Sequence, residues 1–115
     1  MKSLQTLVAL IMLLGAATAL GHAHLQGSTP ADGSVLASPP SSIALHFAEN
    51  ARVTAAWIQK GDAPRQKLGP LPQQSAREVT LPLPALTAGD YVVSWRVLGD
   101  DGHIMPGQIH FAVSH

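Results

Sequence analysis

Tyr91-Val92-Val93-Ser94-Trp95-Arg96-Val97 is the stretch whose reading decides the fold. Its alternate positions Tyr91, Val93, Trp95 and Val97 are aromatic or β-branched, the types that pack best on a pleated, half-buried surface. Successive side chains of a strand leave on opposite faces, so these four form one inward row. The segment before it, Leu86-Thr87-Ala88-Gly89-Asp90, is turn chemistry.

Working outward, Asp100-Asp101-Gly102 marks the next loop, and residues 108–114 (QIHFAVS) form a closing strand with Ile109, Phe111 and Val113 inward. On the other side, residues 78–83 alternate with Val79, Leu81 and Leu83 on one face. Pro82 and Pro84, which cannot donate to a ladder, favour an edge position there. Lys60 to Gln74 is rich in Gly, Pro and charge and reads as an irregular surface connection. Residues 53–59 (VTAAWIQ) predict a strand with Val53, Ala55 and Trp57 on one face. Ile43, Leu45 and Phe47 predict another, with Ala44 and His46 outward. Leu25 to Ser28 is a first strand stopped by Thr29-Pro30, and Pro30 to Ser34 is a turn. Six or seven short strands and no amphipathic helix argue for an all-β, two-sheet sandwich. The turn that delivers Tyr91 to a strand start is similar to the tyrosine corner of immunoglobulin-like sandwiches. The two Trp and two Phe read as core anchors, not as a stacking surface for bases or sugars.

A chain of 115 residues has room for one domain. Residues 1–21 read as a secretory signal: Lys2 supplies the charge, Leu7 to Leu14 (LVALIMLL) the apolar run, and Gly15 to Gly21 (GAATALG) the small residues before cleavage. The apolar run falls short of the ~20 residues that span a bilayer, so the mature protein is not expected to cross a membrane. Two cleavage points are open: after Ala19, starting the chain at Leu20, or after Gly21, starting it at His22. Residues 22–115 carry six Lys or Arg and seven Asp or Glu, which gives no electrostatic footprint for nucleic acid. There is no cysteine, which excludes thiolate metal sites, thiol nucleophiles and disulfides.

The candidate chemistry lies in two segments, Gly21-His22-Ala23-His24-Leu25 and Asp100-Asp101-Gly102-His103. If His22 starts the mature chain, its amine and imidazole can chelate one ion. Their reference pKa values of ~7.7–8.0 and ~6.5 let both lose a proton readily near neutral pH. Asp101 and His103 are two apart, which puts their side chains on one side of an extended segment, and Gly102 lets that segment bend. Three nitrogens and one oxygen in a tetragonal plane suit Cu(II). Asp-Gly alone is an ordinary turn signal, and composition cannot bring the two segments together. His24 adds a second pattern, an amine followed two residues later by imidazole, which holds Cu(II) through backbone nitrogens; it also reads as a solvent-facing residue beside the site.

The opening His22-Ala23-His24-Leu25 with Ser28-Thr29-Pro30-Ala31-Asp32-Gly33 resembles that of the copper-resistance protein C (CopC) family. So do Leu45-His46-Phe47-Ala48-Glu49 and the run from Leu86 through Tyr91 and Ser94-Trp95-Arg96-Val97 to Asp101-Gly102-His103 and Gly107. The resemblance covers nearly all of residues 22–115, least in 60–77. It implies a seven-stranded Greek-key β-barrel or sandwich in the periplasm, binding Cu(II) through the His22 amine and imidazole, Asp101 and His103. It also decides for cleavage after Gly21, hence a signal at 1–21 and a copper-binding domain at 22–115. Glu49 resembles an acidic position near the copper, orienting a ligand, against the plain alternative of a solvated strand end. Some members carry a Met-rich loop for Cu(I); beyond residue 21 this chain has only Met105, which predicts a Cu(II)-only protein. The implied role is copper homeostasis and resistance, as a carrier or buffer with an inner-membrane partner of the CopD type, and no enzyme activity. Two rivals remain: a copper oxidase or monooxygenase with an N-terminal histidine brace, and a metal-free interaction sandwich.

Overall fold

Ser42–Lys60 runs as one continuous strand of 19 residues where the sequence predicts two. The computed structural model describes residues 24–115, and the expected signal at 1–21 and His22 lie outside the described residues. Every regular element among the described residues is a strand: β1 (Leu25–Thr29), β2 (Ser34–Leu36), β3 (Ser42–Lys60), β4 (Gln66–Lys67), β5 (Ala76–Pro82), β6 (Gly89–Gly99) and β7 (Ile104–Val113).

Strand β3 organises the rest. Its first half pairs antiparallel with β1 on one side and β5 on the other, Ala44 facing both Thr29 and Thr80. Its second half pairs with β6 and, at Trp57 and Ile58, with β4. The main order is β1-β3-β6-β7-β2, with β2 joined parallel to β7. The sheet therefore curls on itself, and its two halves enclose one core: Ile43, Leu45, Val79 and Leu81 from one, Val93, Trp95, Ile109 and Phe111 from the other. Burying each such side chain contributes roughly 1.5–3 kcal/mol. As Pro82 and Pro84 suggest, β5 is an edge strand, pairing with β3 alone.

The inward rows expected in β6 and β7 are the observed ones; Tyr91, Val93, Trp95, Val97, Ile109, Phe111 and Val113 are all buried. The tyrosine corner is formed as well. The Tyr91 hydroxyl donates to the Thr87 carbonyl at 2.6 Å and accepts from the Thr87 N–H at 3.1 Å. Its ring stacks on Phe111 at 5.5 Å between centroids.

The second half of β3 departs from expectation. Val53 is buried, but then Ala56 and Ile58 are, not Ala55 and Trp57. The register between Val53 and Ala55 shifts by one residue, a bulge that leaves Thr54 as the extra position and flips the face of every later side chain. Trp57 thus turns outward and is not a core anchor. Within the connection read as irregular, β4 is a two-residue strand that straps the chain back onto β3.

Candidate metal centre

The β6–β7 hairpin turns at Asp100-Asp101-Gly102. Two backbone bonds close it: Gly99 N–H donates to the His103 carbonyl and Gly102 N–H to the Gly99 carbonyl, each at 3.0 Å. Gly102 sits at φ +83°, a left-handed conformation that costs other residues a steric clash. The bend, not an extended segment, brings the two candidate ligands together. Asp101 Oδ1 accepts the His103 N–H at 3.0 Å, and Asp101 Oδ2 lies 3.1 Å from His103 Nδ1. One carboxylate thus holds both the backbone and the ring of the histidine.

The consequence is chemical. A neutral imidazole that donates from Nδ1 to the carboxylate has its lone pair on Nε2, the form in which histidine ligates metals. The His103 side chain is 76% exposed and that of Asp101 25%. The imidazole stands in solvent, and the carboxylate is the more covered of the two side chains. Among the described residues no three His, Asp or Glu side chains gather into a metal-binding group. Asp101 and His103 are a pair that needs donors from elsewhere.

The entry of the chain comes to the same end of the molecule. The His24 carbonyl accepts the Ala48 N–H at 2.7 Å, and Leu25 pairs with Phe47. Three residues on, Ala51 pairs with Gly99 at the edge of the hairpin turn. Three residues of strand span about 10 Å. The stretch of β3 from Ala48 to Ala51, with Ala48 half-buried and Glu49 and Asn50 exposed, therefore ties the start of β1 and the strand end before the Asp101–His103 turn to one short piece of backbone. His24 is exposed and borders a cleft of ≈ 230 Å³ with Leu25, Phe47, Trp95, Met105 and Gln108. Glu49 is an exposed residue of this same stretch of β3.

Several residues had no distinguishing signal in the sequence. Met105 lies on β7, partly buried against the core. The edge of the Trp95 indole lies where a side chain at Gly107 would stand, 2.6 Å from an ideal Cβ, so only glycine fits opposite this tryptophan. His46 and His110 face outward as their strand phase predicts, each near a carboxylate: Glu78 at 3.9 Å and Asp32 at 3.6 Å.

Residues 25–114 match the sequence profile of the CopC domain. The copper resistance protein C of Pseudomonas syringae pv. tomato is 36% identical, over 96% of this chain and 94% of its own length. Among solved structures, the crystal structure of CopC from Methylosinus trichosporium OB3b is similar with a TM-score of 0.67 and 29% identity. That match covers 78% of this chain and 91% of the other. PcoC, a methionine-rich copper resistance protein from Escherichia coli, shares the fold at a TM-score of 0.60 and 24% identity, covering 81% of this chain and 99% of its own.

Proposed function

This chain belongs to the CopC family, and from that premise we propose that it is a periplasmic Cu(II)-binding protein, not an enzyme, that buffers copper and carries it to an inner-membrane transport partner of the CopD type. Residues 1–21 are removed on export in this reading, so that His22 begins the mature chain. One observation supports it: the entry of β1 and the strand end that leads into the Asp101–His103 turn are anchored on β3 at Ala48 and Ala51, residues about 10 Å apart along that strand. In this reading His22, two residues before His24 in the chain, supplies its amine and imidazole to the same ion as His103.

The donor set fits the ion. Two nitrogens from His22, one from His103 and an oxygen from Asp101 are borderline-to-hard ligands that suit a tetragonal Cu(II). Asp101 has two successive parts in this reading: it orients the imidazole in the metal-free protein, and to supply the fourth donor its carboxylate leaves Nδ1 and turns to the ion. A relative that is methionine-rich has soft thioethers to offer Cu(I); this chain has Met105 alone beyond residue 21, and that side chain is engaged with the core. The Cu(II)-only reading rests on that difference. The oxidase reading finds no comparable support, since a filled equatorial plane leaves no position for oxygen.

The test is direct. Mass analysis of the exported protein should give His22 as its first residue. A form with one alanine added before His22 should lose Cu(II) affinity by more than about 100-fold, because even a change to a residue behind a ligand costs about 10- to 100-fold. A first residue of Leu20, or equal affinity in the extended form, would remove the amine from the site.

A further inference from the structure

The outer face of the β3–β6–β7 half holds a feature that the copper site does not use. Past the bulge, Trp57 turns outward in register with Ser94 of β6, which in turn pairs with Gln108 of β7. The Arg65 guanidinium lies 4.2 Å from the centroid of the Trp57 ring, and that of Arg96 5.4 Å. Planar guanidinium groups are drawn to an indole face by its quadrupole and by stacking. Arg65 is held there by backbone. β4 pairs Gln66 with Ile58, Gln59 Nε2 donates to the Ala63 carbonyl at 2.8 Å, and the Leu68 N–H donates to that of Ala56 at 2.9 Å.

Both arginines are exposed, and among the described residues neither is paired with a carboxylate; the ion pairs found there all use histidine. With Ser94, Pro106 and Gln108 they border an open cleft of ≈ 390 Å³. Residues 22–115 carry one more acidic than basic residue, so this is a local positive spot on a chain without general attraction for anionic surfaces.

We propose that the Trp57–Arg65–Arg96 cleft docks an acidic peptide segment of the protein that exchanges copper with this one, an inference that rests on the carrier reading. The two guanidinium groups, Ser94 and Gln108 are donors for carboxylates, while Trp57 and Pro106 supply apolar walls for the stems between them. That mixture suits a peptide better than a lipid headgroup or a free anion, which would leave the apolar walls idle. The place suits transfer as well. Arg96 is three residues from Gly99, where the hairpin turn of Asp101 and His103 begins, about 10 Å along β6.

The experiment uses the mature, ¹⁵N-labelled protein and an acetylated, amidated peptide alternating glutamate and leucine. Chemical-shift changes should centre on the Trp57 indole N–H, Arg65, Ser94, Arg96 and Gln108. Arg65→Gln with Arg96→Gln should weaken binding by about tenfold or more, since carboxylate–guanidinium contacts supply the specificity. Arg52→Gln with Arg77→Gln removes the same charge elsewhere and should leave the peptide affinity in place. Equal affinity in the Arg65/Arg96 variant, shifts scattered over all basic residues, or the same shifts and affinity with inorganic phosphate would each overturn the docking site. So would stronger binding to phosphatidylglycerol vesicles than to the peptide. A separate Cu(II) titration keeps the two ideas apart: peptide shifts without any copper binding would strike the carrier reading and with it the copper-exchanging partner, leaving only an acidic-peptide site.

Discussion

Two histidine–carboxylate pairs sit at opposite ends of the β6–β7 ribbon, and they are built differently. At the hairpin turn, Asp101 and His103 are neighbours in sequence, and one carboxylate grips both the backbone N–H and the ring. At the far end, Asp32 and His110 are 78 positions apart. There a single oxygen accepts the His110 N–H at 2.8 Å, while the ring nitrogen stays 3.6 Å away. The Gly33 N–H returns a bond to the His110 carbonyl at 2.7 Å. The first arrangement orients an imidazole and ties it to the backbone of its own turn, joining no distant segment. The second staples the loop before β2 to the end of β7 and leaves its imidazole loosely placed. A histidine beside an acid is therefore not one motif; what matters is whether the carboxylate holds the ring as well as the chain.

The sharpest way to break that contrast is copper itself. A ligand that binds only the folded state stabilises it by about 4 kcal/mol at a free concentration of ~1,000 times its dissociation constant. Asp101→Ala with His103→Ala should abolish most of the copper-induced rise in melting temperature, and Asp32→Ala with His110→Ala should keep it. If the first variant keeps the full rise, copper is held by the His22-Ala23-His24 segment instead.

A smaller effect separates what lies beneath each end. Trp95, behind the hairpin, packs on Gly107 with no room for a Cβ. Gly107→Ala should cost about 1–3 kcal/mol of stability in urea unfolding, the usual range for overpacking a core. At the far end Tyr91 is anchored by its hydroxyl, and Tyr91→Phe should cost about 1 kcal/mol by removing the Thr87 bonds. An unchanged unfolding midpoint in Gly107→Ala would mean that the indole moves aside freely.

The smallest effect tests staple against orienter without metal. Asp32→Ala should cost about 0.5–1 kcal/mol in the copper-free protein, and Asp101→Ala the same or less, since each removes an exposed backbone bond. Adding Cu(II) should reverse the order decisively. The same order with and without copper would put the two carboxylates in one class.

Much of this was legible beforehand, for identifiable reasons. Tyr91 to Val97 and Ile109 to Val113 alternate without ambiguity, so their inward rows could be read directly. Residues 53–59 could not be, because Val53, Ala55, Ala56, Trp57 and Ile58 offer apolar candidates on both faces, and a bulge at Thr54 chose between them. The continuity of β3 was hidden because Glu49 and Asn50 look like a loop. They are exposed strand residues, in the stretch where the register of β3 against β5 shifts. Asp101 and His103 were visible by type and spacing, but the capture of Nδ1 by the carboxylate depends on the turn at Gly102. Arg65 had no signal at all, since its position over Trp57 comes from the β4 strap.

The undivided β3 has one more consequence, in the order in which the chain can be assembled and taken apart. This strand is hydrogen-bonded to β1, β4, β5 and β6, through partners as far apart as Ala51 and Gly99. Neither half of the sheet can be completed without it, so there is no seam along which one half could open while the other survives. Its central amides should exchange with solvent only by global unfolding, whereas those of the two-residue β4 and the three-residue β2 exchange by local fraying. Pairings so distant in sequence also make folding slow relative to a helical chain of equal length, because loop closure precedes the contacts that reward it. A single undivided ribbon thus makes the described part of the molecule one cooperative unit.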